Sequence, residues 1–165
     1  MKIETSISLA AAAISLFAFG VALWQGYVAR LHNRLSVKPM LHFDCGITSD
    51  DFFINLKNTG IGPAIILNWR VSFSGQKIGE NSDQIAINLF KELEVEHLGG
   101  EMYLPGKLQA MAAGDIYEIL KINNVEADSE VKARIGNDIL WLKVTVDYES
   151  IYGEKFSVSG PANVS

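Results

Sequence analysis

The 165-residue chain holds one cysteine, three histidines and four prolines. A single Cys excludes a disulfide framework, and so few Cys and His leave no room for zinc-ligand spacing. No block of like charge stands out. Lys and Arg number 14 against 19 Asp and Glu, with 48% of the residues hydrophobic, a balance that excludes a charged disordered tail. Internal repeats and low-complexity tracts are absent, and the length suits one independently folding domain but not two large ones.

One stretch lacks charge altogether. Thr5 to Ala29 is a run of 25 uncharged residues between Glu4 and Arg30. As a helix it reaches roughly 37 Å, enough to cross a hydrocarbon core of ~30 Å with some tilt. Trp24 and Tyr27 fall at its end, where interfacial aromatics belong. A cleaved signal peptide fits less well: Lys2 is offset by Glu4, the apolar core is too long, and the best small-x-small site begins with Tyr27. A pilin-like stem would want a Gly cleavage site and a Glu inside the run. The expected organisation is therefore a tail at 1–6, a transmembrane helix at 7–29, a basic juxtamembrane connector at 30–39, a folded domain at 40–160 and a tail at 161–165.

Arg30, Arg34 and Lys38 follow the run, and basic flanks stay cytoplasmic. The expectation is a single-pass protein of the bacterial inner membrane, with its N-terminus outside and its C-terminal domain in the cytoplasm. Ala11, Ser15, Ala18, Ala22 and Gly26 recur at spacings of four and three, a small-residue stripe through which two helices could approach closely. The expected partners are the lipid bilayer and a second copy of the helix.

Beyond the connector the hydrophobic period is two. Ile65, Leu67, Trp69, Val71 and Phe73 alternate with mostly polar residues, Ile66 excepted, as do Leu140, Leu142, Val144, Val146 and Tyr148, Trp141 excepted, and both read as half-buried strands. Phe52–Leu56 makes a shorter one. Weaker strands are expected at 40–45, 101–104, 116–122 and 154–159, the last joined to its predecessor by a hairpin turn at Ser150–Gly153. Two helices interrupt the pattern. One carries Ile85, Ala86, Leu89, Phe90 and Leu93 behind Ser82 or Asp83 as N-cap; the other runs from Asp128 to Ile135 and stops at Gly136. The fold class expected is mainly β: an N-terminal transmembrane helix, then an antiparallel Ig-like β-sandwich with one or two short helical insertions.

Asn58-Thr59-Gly60-Ile61-Gly62-Pro63-Ala64 joins two of these strands. Its glycines permit close backbone approach and Pro63 donates no hydrogen bond, so Asn58, Gly60, Gly62 and Pro63 are read as a structural corner. Free amides there could alternatively hold an anion. The run lacks the Gly-Lys-Ser/Thr ending of a phosphate loop. An apolar anchor, then Leu31–Pro39, then a strand and this Asn-x-Gly-x-Gly-Pro-Ala run resembles a group of small bacterial single-pass membrane-anchored proteins of unknown function. The later Tyr148-x-Ser150-x-Tyr152-Gly153 turn is similar to theirs. The resemblance implies an anchor and a β-sandwich and brings no enzymatic role; antiphage defence enters by analogy alone.

No catalytic constellation, metal site or cofactor motif is recognised. His32, His42 and His97 do not converge with Cys45, and Asp44, Asp50 and Asp51 lack the spacing of a calcium loop. Residues 36–165 carry 11 Lys and Arg against 18 Asp and Glu, a net of −7 that disfavours duplex nucleic acid. A smaller ligand site could gather Arg70, Lys121, Arg134 and Lys143, with Trp141 or Phe53 stacking on a base. The sequence thus points to a non-enzymatic, membrane-anchored interaction or sensing module with an unknown protein or small-molecule ligand. A ligand-gated, possibly cyclic-nucleotide-responsive effector of antiphage defence and an envelope-facing protein or glycan binder are the alternatives.

Overall fold

Residues 2–48, 50–125 and 129–161 are described by the computed structural model, in which the chain divides into two units, Met1–Ser36 and Val37–Ser165. The first is one helix, α1 (Lys2–Ser36), of 35 residues. Its Ala- and Leu-rich run favours helix throughout, and Pro39 three residues on prevents continuation. The hydroxyls of Ser8 and Ser15 donate back to the carbonyls of Glu4 and Ala11, at 3.0 and 2.8 Å, so these two polar side chains are satisfied within the helix. This N-terminal helix is long and apolar enough to span a membrane.

The second unit contains β1 (Leu41–Ile47), β2 (Phe52–Asn58), β3 (Ala64–Phe73), β4 (Gln76–Lys77), α2 (Ser82–Glu92), β5 (Gly100–Met102), β6 (Ala110–Met111), β7 (Ile116–Ile122), α3 (Ser129–Asp138), β8 (Leu142–Ser150) and β9 (Lys155–Gly160). All pairings are antiparallel. One sheet has the order β1-β2-β7-β5 and the other β4-β3-β8-β9, with β6 beside β3. The antiparallel sheets after an apolar helix follow the period-two pattern. The chain as a whole is less β-rich than that pattern implies, because α1 alone takes 35 residues. The two-residue strands β4 and β6 carry no period and were not legible in the sequence.

A single buried cluster draws Phe52, Ile54, Leu56 and Leu120 from the first sheet and Ile66, Val71, Val144 and Val146 from the second. Ile85, Leu89 and Leu93 of the α2 segment join it, all buried. The N-cap of α2 is Asn81, one residue before the expected Ser82; its side chain accepts from the Gln84 amide at 3.0 Å. Gly136 does not stop α3, which runs on to Asp138, since a glycine costs a helix only about 1 kcal/mol. The expected start at Asp128 lies outside the described residues.

The alternation in β3 changes phase. Trp69, Val71 and Phe73 pair across from Val146, Val144 and Leu142, but Ile65 and Leu67 do not share their face. A register shift between Ile66 and Asn68 turns Ala64 and Ile66 inward instead, both fully buried. One extra residue in a strand moves every earlier side chain to the opposite face. In β8 the expected row begins one step late: Leu140 is exposed, in a 3-10 turn at Ile139–Trp141.

Candidate functional site

The Asn58–Ala64 run closes on the segment that leads in from α1. The buried Asn58 side chain is its hub. Its Oδ1 accepts from the amides of Met40 (3.2 Å) and Gly60 (3.0 Å), while its Nδ2 donates toward the carbonyls of Gly62 (2.9 Å), Met111 (3.1 Å) and Ala112 (3.1 Å). The Thr59 amide donates to the Met40 carbonyl at 2.8 Å. A Cβ on Gly60 would sit 2.5 Å from the Lys38 carbonyl oxygen, and one on Gly62 would overlap the Val37 carbonyl. Both glycines are therefore required by backbone passing backbone. The amides of Thr59 and Gly60, which an anion would need, are already engaged. This run is a clamp on residues 37–40.

A second feature lies on β3. β4 pairs only with Ser72 and Phe73, and β6 only with Ala64 and Ile65. Among the described residues, the β3 edge between them, Leu67–Arg70, has no strand beside it. The gap opens into a groove of about 770 Å³, walled by the start of α2 on one side and by Leu104–Lys107 on the other. The Trp69 indole donates to the Pro105 carbonyl at 2.9 Å, fastening the second wall to the sheet. Arg70, Lys77, Lys107 and Lys143 line the groove against one carboxylate, Glu80. Arg70 makes a two-pronged pair with Asp147 on the neighbouring strand, with Nη2 to Oδ1 at 3.0 Å. That guanidinium, with the Ser157 hydroxyl, holds the Asp147 carboxyl below the usual carboxylate range. Lys77 pairs with Glu80 at 2.6 Å, whereas Lys107 and Lys143 make no ion pair among the described residues. A smaller cleft of about 450 Å³ on the far side of β4 mixes Lys77 and Lys91 with Glu92 and has no comparable excess of charge.

Of the five ligand residues expected from sequence, Arg70 and Lys143 come together in this groove, two pairing positions apart on β3 and β8. Lys121 does not join them. It lies on β7 in the other sheet and pairs with Asp51 at 3.1 Å, a hydrogen bond that raises the lysine pKa and lowers that of the aspartate. Trp141 is exposed in the 3-10 turn and is not part of the groove lining. Arg134 belongs to α3, but its side chain lies outside the described residues. Phe53 lies on β2 in the other sheet, opposite Lys121. Lys77 and Lys107 were missed because each sits next to a turn, where no period marks a face. The small-residue stripe of α1, Ala11, Ser15, Ala18, Ala22 and Gly26, is exposed along its whole length.

In comparisons with family models, curated proteins and solved structures, nothing matches this chain.

Proposed function

We propose that this protein is a non-enzymatic, membrane-anchored interaction module that takes up an acidic peptide segment, in extended form, along the open edge of β3. One observation carries the reading: four of the eleven Lys and Arg in residues 36–165 line a single groove of a domain whose net charge is −7. Such a local reversal of sign attracts and orients an anionic partner. The unpartnered β3 edge beside it offers backbone donors and acceptors to an added strand. The groove lining has no exposed aromatic side chain for a base to stack on, since Trp69 is half-buried and its N–H is committed to Pro105; this favours a peptide over a nucleotide.

The fold belongs to the same proposal. Orders of β1-β2-β7-β5 and β4-β3-β8-β9 correspond to the A-B-E-D and C′-C-F-G sheets of an immunoglobulin-like sandwich. Trp69 on the third strand supports that assignment. On this reading α1 anchors the domain to the inner membrane of a bacterium, with the domain in the cytoplasm and a second copy paired along Ala11–Gly26. The likeness of the Asn58–Ala64 run to small anchored bacterial proteins belongs to this proposal too.

The test is titration of the full chain, in detergent micelles, with a synthetic octaglutamate peptide. Binding is expected, falling steeply with added salt, and Lys107→Glu with Lys143→Glu should weaken it at least about tenfold, or 1.4 kcal/mol. Lys121→Glu, on the other sheet, should leave it unchanged. Absence of binding, or equal loss from both sets of variants, rejects the groove as the site.

A further inference from the structure

The loops around the clamp present apolar side chains to solvent. Met40, Ile61, Ile151 and Tyr152 are all exposed, Ile61 most of all at 76%. They come from three segments that pairing brings to one end of the unit: Leu41 lies opposite Asn58, and Ala64 opposite Ser150. These tips are held in place. Asn58 and the Gly60–Met40 contact fix the loop that carries Ile61. The Ser150 hydroxyl accepts from the amides of Tyr152 (3.2 Å) and Glu154 (3.3 Å), fixing the hairpin that carries Ile151. A buried cluster elsewhere gathers most of the unit's apolar side chains, so a rigid exposed set at one end asks for a covering phase.

We propose that this end of the Val37–Ser165 unit rests in the interfacial layer of the membrane, with Ile61, Ile151, Tyr152 and Met40 inserted among the lipid headgroups. The inference rests on α1 being a membrane anchor. Val37 follows Ser36 directly, and from Ala29 to Ser36 the helix rises only about 10 Å, against a headgroup layer of roughly 5–8 Å. Residues at the end where the chain arrives are therefore within reach of the surface. Charge fits the same occupant. Arg30, Arg34 and Lys38 precede this end, and neither 37–40 nor 59–63 contains a carboxylate. Of the nearby acids, Asp115 accepts from the Ala112 amide at 2.7 Å, Glu154 accepts from the Ser150 hydroxyl at 3.4 Å, and Glu149 lies opposite Lys155 at the base of the hairpin. Most of the domain's 18 acidic residues lie elsewhere, so an anionic leaflet repels the rest of the domain and selects this end.

Site-specific labelling of the full chain in vesicles of phosphatidylcholine and phosphatidylglycerol tests this. Cys45 is buried, and burial, then the neighbouring Asp44 charge, push its thiol pKa up, so an introduced surface cysteine takes an environment-sensitive fluorophore selectively. Labels at Ile61→Cys and Ile151→Cys should emit at shorter wavelength than a label at Leu140→Cys and be quenched by headgroup-region brominated lipid. Leu140 is exposed and precedes β8 at its other end, about 30 Å away by strand length. Water-like emission from positions 61 and 151 in protein that resists alkaline extraction overturns the inference alone. Release of the protein by alkaline extraction overturns the anchor reading and the inference with it.

Discussion

Replacing Asn58 by Ala is the most informative single perturbation. The side chain is fully buried and bonded to five backbone groups in three segments: residue 40, the loop at 60–62, and Met111 and Ala112 at the end of β6 and beyond. Alanine strands the amides of Met40 and Gly60 without their acceptor and leaves three carbonyls without their donor. Unmade hydrogen bonds cost about 1–3 kcal/mol per buried group. The bonds to Met40, Gly60 and Ala112 are only partly buried and water can replace them, which leaves the two buried bonds, to the Gly62 and Met111 carbonyls, at about 1.5 kcal/mol each. The sum is about 3 kcal/mol, which for a unit of this size lowers the melting temperature by about 10 °C. Asn58→Asp is a sharper variant. It has the same shape, keeps an acceptor toward Met40 and Gly60, and turns a carboxylate toward three carbonyl oxygens. Burial and those oxygens raise its folded pKa above the unfolded value, so the variant should regain stability as pH falls. Thermal unfolding of the full chain in micelles, followed by near-ultraviolet circular dichroism, reads the packed aromatics independently of α1 helicity. A melting point for Asn58→Ala within about 2 °C of the parent, or an Asn58→Asp variant that loses stability toward low pH faster than the parent, would refute the hub.

Gly62→Ala should destabilise far more than Gly153→Ala, because the new Cβ at 62 overlaps the Val37 backbone whereas at 153 it meets open space and bears only a positive φ of 75°; urea midpoints measured side by side would expose an inverted order. The depressed Asp147 pKa stabilises the fold at pH values above the ordinary carboxylate range, and that contribution is lost as pH falls through the lower folded value. Arg70→Gln should move the Asp147 titration upward toward the ordinary value, read by carbon-13 chemical shifts of the carboxyl group; an unmoved titration would show that Ser157, rather than the guanidinium, sets it.

How much of this was legible before the fold was known depends on the range over which each signal acts. The α1 span needed only 25 adjacent uncharged residues. The strands needed only a period of two, which local side-chain direction enforces, and the Asn58–Ala64 corner announced itself by composition. What the corner does could not be read, since its partners are Val37–Met40 on one side and Met111 on the other, the latter 53 residues away. The bulge in β3 was equally hidden: an alternation of apolar residues continues through it, and only pairing with β8 shows that the phase has changed. Arg70 and Lys143 could be singled out as strand cations, but Lys121 carried the same signature and went to the other sheet. Period and hydrophobic length belong to neighbouring residues, so the sequence by itself determined the helices and the longer strands. The clamp on the connector and the basic groove are relations between segments far apart in the chain. Those were decided only when burial of the shared core brought the two sheets into their order.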